Sequence, residues 1–167
     1  RGTMEALLAT PVTGGEILLA KVVPYFVLGL GGFALSVAMA VWLFHAPLVG
    51  SFWVLLTASS LFLLSSLGMG LLISTKTRSQ FTASQIAMVV TFLPAFMLSG
   101  FIFDIGSMPA LVQGITYGVA ARYFISILHT VFLAGDVWSV IVPDAAALAA
   151  MAAGFLALTW RVTRTRL

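Results

Sequence analysis

Apolar residues run almost unbroken from Val22 to Phe44, from Phe52 to Ser74, from Phe81 to Phe103 and from Ser139 to Trp160. Each run reaches the roughly 20 residues that a helix needs to cross about 30 Å of hydrocarbon, and none contains Lys or Arg. The pattern predicts an all-α fold, a polytopic transmembrane bundle of four spans. The charged positions are equally ordered. Arg1 and Lys21 precede the first run, Lys76 and Arg78 separate the second from the third, and Arg161, Arg164 and Arg166 follow the fourth. Since Lys and Arg collect on the cytoplasmic side, both ends of the chain are expected there. Arg122 then falls outside, with Asp104, Asp136 and Asp144 on or near the outer side.

Residues 104 to 138 are apolar enough in places to imitate a fifth span. Parity argues against one. A fifth crossing would carry the Arg161, Arg164 and Arg166 tail outside and bury Arg122 near mid-span, at about 3 kcal/mol. The segment reads instead as two short helices separated by Gly118. Ser107 stands where it can cap the first, with Pro109 in the opening turn. On the second, Ala120, Tyr123, Phe124, Ile127, Leu128, Val131 and Phe132 form an i, i+3, i+4, i+7 stripe, and Gly135 ends it. About 15 residues make a helix of about 22 Å, too short to span upright. It is expected at the outer surface or dipping in from it.

Within the runs, small residues recur every fourth position: Gly32, Ser36 and Ala40; Ser66 and Gly70; Ala146, Ala150 and Gly154. That spacing is expected where helix backbones pack closely. Pro24, Pro94 and Pro143 each remove a backbone donor and should bend or start a helix.

Before the first run lies "RGTMEALLATPVTGGEILLAK". Thr3 can cap a short helix carrying Glu5 near its positive end, which Thr10-Pro11 stops. Thr13 to Glu16 then fits a capping box, with Val12 and Ile17 as its hydrophobic staple, so a fresh helix should run through Lys21 into the first span. Local physics leaves two readings of this knuckle, a coupling element or an amphipathic anchor in the interface.

Composition agrees with the pattern. Only 8% of residues are charged and the mean hydropathy is +1.14, where soluble domains carry about a quarter charged residues. The net charge of +3 therefore reports topology and implies no nucleic acid. Without cysteine, thiolate catalysis and Cys-ligated metals are excluded. The first residues form no signal peptide, and Arg1 looks like an internal position of a longer chain.

Two stretches resemble one family. "RGTMEALLATPV", followed by Glu16 and Lys21 ahead of a long span, resembles the cytoplasmic coupling segment of ABC-2 type exporter permeases. "LSGFIFDIGSMPALVQGITYGVAARYFISILHTVFLAG" resembles that family's outer region, with Asp104 and Val119-Ala120-Ala121 standing where Pro or Asn-Pro is common. The resemblance implies a six-span subunit in a bacterial inner membrane, of which this chain is the part after the first two spans. Residues 1–21 would be the coupling segment and 104–138 the outer helical segment. It further implies a partner ABC ATPase that holds ATP and Mg, and a second permease copy or paralogue. Thr3, Glu5, Leu8, Thr10, Pro11 and Glu16 would then bear on the ATPase.

The remaining chemistry fits a conduit. "ISTKTRS" lacks the glycine frame of a nucleotide-binding loop. His45 and His129 have no partner at ligand spacing, so neither a metal nor a cofactor is expected in this chain. Gly-x-Ser-x-Gly is absent, and the serines of "TASSLFLLSSLG" are expected to bond to helix carbonyls or a neighbouring helix. A substrate path is expected along Phe92, Phe96, Met97 and Phe101, with Arg122, Tyr123 and Phe124 as an outer gate. An ion-coupled carrier or channel is the alternative, although ionisable side chains are missing from the centres of the spans. A noncatalytic membrane assembly protein is the third reading.

Overall fold

The computed structural model describes residues 13–164. They form helices α1 (Gly14–Leu43), α2 (Phe52–Lys76), α3 (Gln80–Leu98), α4 (Ala110–Thr116), α5 (Ala120–Ala134) and α6 (Trp138–Arg164). Four of these, α1, α2, α3 and α6, are long and apolar enough to cross a membrane. They run alternately up and down. One end of the bundle gathers the start of α1, Lys76, Arg78 and the end of α6; the other carries the bent pair of α4 and α5 and is called the elbow end below.

The capping box forms at the start of α1. Glu16 Oε2 accepts from the Thr13 N–H at 2.8 Å, and the Glu16 N–H donates to Thr13 Oγ1 at 3.4 Å. With its first donors satisfied, α1 continues for 30 residues, about 45 Å, longer than the roughly 30 Å of hydrocarbon that a span must cross. Pro24 is accommodated inside it, and Pro143 inside α6.

Helix α2 is the centre of the bundle. Leu55, Ala58, Ile127, Val131, Ile141 and Leu148 make the core where α2, α5 and α6 meet. The expected stripe of α5 faces this core along its whole length, with Ile127 and Val131 buried and Ala120, Tyr123, Phe124, Leu128 and Phe132 packed around them. Further along, α2 and α6 come together at Gly68: an added Cβ would stand 2.9 Å from Phe155 Cβ and 3.2 Å from the Leu156 nitrogen. Thr159 seals the contact, its hydroxyl 3.0 Å from the Gly68 carbonyl across the helix pair. Against α1 the approach is at Gly29, facing Leu63.

The small residues that bring helices together differ from those singled out by spacing. Gly32, Gly70 and Gly154 have nothing within 4 Å of a built Cβ. A four-residue repeat marks a smooth face of a helix, and several faces here are smooth. Which one meets a neighbour depends on how the helices are rotated, and that is set by the large side chains at the core.

The elbow end is held by loops. Asp136 Oδ1 accepts from the Ser51 N–H at 2.8 Å, at the start of α2, and the Gly50 N–H donates to the Val131 carbonyl at 2.7 Å. A side chain at Gly50 would meet both Asp136 and Val131. Helix α3 stops at Leu98, short of the sequence-derived boundary at Phe103, because the chain turns at Gly100 with φ +88°. Beyond it, Asp104 caps a short 3-10 turn, Ile105–Ser107, by accepting from the Gly106 N–H. This corrects the expected role of Ser107: its hydroxyl donates to the Asp104 carbonyl at 2.7 Å, and Pro109 occupies the cap position of α4. Helices α4 and α5 then meet at 88°.

Two outcomes follow for the full-length protein in detergent. Gly68→Ala should cost about 1–3 kcal/mol through overpacking, read as a lower melting temperature, whereas Gly70→Ala should leave it unchanged. Asp136→Ala should lower stability by about 1–2 kcal/mol, and Asp136→Asn by less, since the amide oxygen still accepts the Ser51 N–H.

Candidate functional site

Glu16 is the one expected coupling residue among the described residues; Thr3, Glu5, Leu8, Thr10 and Pro11, with Val12 of the staple, lie outside them. Its carboxylate is engaged in the cap of α1. Around it the start of α1 and the end of α6 adjoin, a Cβ on Gly15 lying 3.7 Å from Trp160 Nε1, and Arg164 lies over the Trp160 ring at 5.5 Å. The entry to α1 is thus braced by an aromatic side chain of the last helix.

Phe92 and Phe96 stack on one another on α3, ring centroids 5.7 Å apart. Their exposures of 57% and 48% place them on the face of α3 turned away from the rest of the bundle, together with Met97, and Phe101 in the following loop is exposed as well. The opposite side of α3 holds the helix in place. Thr91, Pro94 and Ala95 line a small cavity of about 60 Å³ shared with Ser65 and Met69 of α2. Pro94 has no N–H to donate, and the turn before it, Met88–Phe92, widens to a π-turn. This combination leaves α3 locally unwound at mid-helix.

The three expected gate residues point in different directions. Arg122 donates through Nη1 to Thr116 Oγ1 and, at 3.4 Å, to the Gln113 carbonyl, and its guanidinium lies 3.8 Å from the Tyr117 ring centroid. Tyr123 donates its hydroxyl to the Tyr117 carbonyl at 2.5 Å. Both clamp the 88° elbow. Phe124 turns inward and stacks on Phe62 of α2 at 4.8 Å. The geometry unites Arg122 with the end of α3, since both line a hollow that contains Ser99, Gly100 and Asp104. It does not bring the gate residues onto the Phe92–Phe96 face.

A larger site was not singled out by the sequence reading. Between α1, α2 and α5 lies an apolar cleft of about 390 Å³, lined by Phe33, Val37, Phe62, Phe124, Leu128 and Phe132, with Ser36 and Ser59 on its walls. The signal was present in the repeat Phe124, Leu128, Phe132, whose side chains border the cleft as well as the core. The serines also divide. Thr57 and Ser60 bond back to Trp53 and Leu56 as expected, whereas Ser59 and Ser65 Oγ are buried without a partner among the described residues. Among the described residues no three His, Asp or Glu side chains converge as a metal site would require. Such walls can hold uncharged or amphiphilic molecules. The polar groups on these walls are the hydroxyls of Ser36 and Ser59.

These features agree with what the chain is similar to. The model of the ABC-2 type transporter family matches residues 1–133. The chain is 52% identical over 167 residues, all of its own length and 44% of the relative's, to the probable multidrug ABC transporter permease YbhS of Escherichia coli. It is 30% identical to the probable multidrug ABC transporter permease YbhR of the same organism over 133 residues, 80% of this chain and 36% of that one. With the inner membrane transport permease YhhJ, also of Escherichia coli, it shares 29% identity over 159 residues, 94% of this chain and 42% of that one. It therefore spans less than half the length of these relatives. No solved structure matches it. From the opening stretch through most of α5, in sequence and in its bundle of apolar helices, the chain belongs to the ABC-2 type transporter family.

Proposed function

We propose that this chain forms the later spans of a non-enzymatic permease subunit that exports amphiphilic organic compounds across a bacterial inner membrane, driven by a separate ABC ATPase that binds ATP and Mg. The observation that carries this reading is the family match, which runs from the opening segment to Leu133. The names of the relatives support the cargo class, and the apolar clefts support it physically. In this reading residues 1–21 face the cytoplasm and couple to the ATPase, the elbow end faces outward, and a second permease copy or paralogue completes the path.

The structure suits such coupling mechanically. A push on the opening segment enters a helix whose first turn is locked by the Thr13–Glu16 box. Helix α1 bears on α2 at Gly29 and Leu63, and α2 is joined to α6 at Gly68, so a displacement at the basic end is carried through packed helices. Helix α3 has a π-turn and Pro94 at mid-helix, where it can bend while the other helices move as a body. The path is assigned to its Phe92, Phe96, Met97 and Phe101 side, and the outer exit to Arg122 and Tyr123, which clamp the elbow, with Phe124 behind them stacked on Phe62.

An ion-coupled carrier has one observation in its favour: Asp144, in the second turn of α6, has Oδ2 buried without a partner among the described residues. Its place near the elbow end, away from mid-span, fits an ion pathway less well than a local structural role.

For the full-length protein, the double variant Glu5→Arg, Leu8→Asp should lose a co-purifying ATPase, binding roughly 30-fold more weakly or worse, as expected when a buried contact worth about 2 kcal/mol is replaced by charge. Phe92→Ala, Phe96→Ala should cut ATP-driven efflux of a lipophilic dye at normal membrane expression. Wild-type efflux that survives removal of ATP but collapses with the proton gradient would sink the ATPase reading and favour the carrier.

A further inference from the structure

Helix α5 carries a second stripe, opposite in character to the one that faces the core. Arg122, Ser126 and His129 follow one another at i, i+4 and i+7 and line a hollow of about 240 Å³ with Ser99 and Asp104 from the link that follows α3. Its depth is fixed by α3. That helix is 19 residues long, about 28 Å, close to the thickness of the hydrocarbon, so the hollow just past Leu98 lies level with lipid headgroups.

The hollow is lined by opposite charges, Arg122 and Asp104, that form no ion pair with each other among the described residues. Arg122 engages Gln113, Thr116 and Tyr117, its hydrogen bonds all through Nη1, which leaves the Nη2 and Nε donors of the fork. Asp104 Oδ1 accepts the Gly106 N–H at 3.2 Å, and its Oδ2 takes no hydrogen bond among the described residues. Ser99, 2% exposed, accepts from the Phe101 N–H at 3.4 Å and retains its own O–H to donate. A guanidinium fork favours a phosphate, and a free carboxylate oxygen favours an ammonium that can donate to it. The volume exceeds many times the roughly 10–15 Å³ of such space that a single water needs, room for one small zwitterion.

We propose that this hollow is a binding site for a phosphate ester bearing a primary ammonium, the chemistry of a phosphoethanolamine headgroup, with the phosphate on Arg122 and Ser99 and the ammonium on Asp104. The site rests on the chain lying in a membrane and is independent of the transport reading, because its occupancy is read without ATP.

The test uses the full-length protein in nanodiscs of phosphatidylcholine containing equal small fractions of phosphatidylethanolamine and phosphatidylglycerol, with retained lipid quantified by mass spectrometry after detergent washing. Wild type should retain phosphatidylethanolamine about tenfold over phosphatidylglycerol, the scale of one hydrogen bond between charged groups. Asp104→Asn, which keeps an acceptor for Gly106 but loses the charge, should bring the ratio to about one at an unchanged melting temperature. Ser126→Phe, which fills the hollow from α5, should do the same by a different route. Displacement by millimolar phosphoethanolamine would identify a free zwitterion as sufficient, and resistance to it a lipid-anchored one; either upholds the shared chemistry. A wild-type ratio of one, or a preference that survives in both variants, overturns the proposal.

Discussion

At Gly68 the backbones of α2 and α6 touch, and much of the rest of the bundle depends on that contact. Lipid tails are as apolar as leucine, so burying side chains in a membrane supplies little drive for helices to associate; close backbone packing and hydrogen bonds between helices must supply it. Here both act at one level, with no room for a Cβ at Gly68 and the Thr159 hydroxyl reaching the Gly68 carbonyl. The core of Leu55, Ile127, Val131, Ile141 and Leu148 lies toward the elbow end from this point. The Asp136 and Gly50 bonds then close that end by joining two loops. Helices α2, α5 and α6 are thereby fastened at two levels and behave as one block.

Around this block α1 and α3 are bound more lightly. The most apolar stretches of both contain no fully buried residue, only partly covered ones such as Phe33 and Val37, while parts of those of α2 and α6 are buried. Both helices also contain a π-turn, α1 at Met39–Leu43 and α3 at Met88–Phe92, as does the end of α5 at Thr130–Ala134. A transporter needs a rigid part to transmit force and a compliant part to change shape, and the division here between a fastened block and two looser helices is compatible with that demand.

The elbow shows how a single charge can be accommodated in such a chain. Arg122 would be costly in a span, and the 88° bend between α4 and α5 keeps it at the bundle's end. There its guanidinium finds a hydroxyl, a carbonyl and an aromatic face, and still borders a polar hollow. The same residue thus stabilises the bend and lines the hollow beside it.

What the sequence determined by itself is set by local physics and by the bilayer. Four apolar helices long enough to cross a membrane, the Thr13–Glu16 cap, the α5 stripe and the Gly135 stop are each encoded within a few turns of chain, and each is present in the structure. The stop of α3 at Leu98 and the capping by Asp104 are local turns, at Gly100 and Gly106, that the hydropathy pattern does not mark, whereas the choice of Gly68 and Gly29 over Gly32, Gly70 and Gly154 as contact points was decided only by tertiary structure. The reason is rotational. Periodicity tells which residues share a helix face, but the neighbour that face meets follows from how large side chains on several helices interlock at once. The same rotation sends Phe124 toward α2 while Arg122 and Tyr123 stay at the elbow, a division that three consecutive letters of sequence could not reveal.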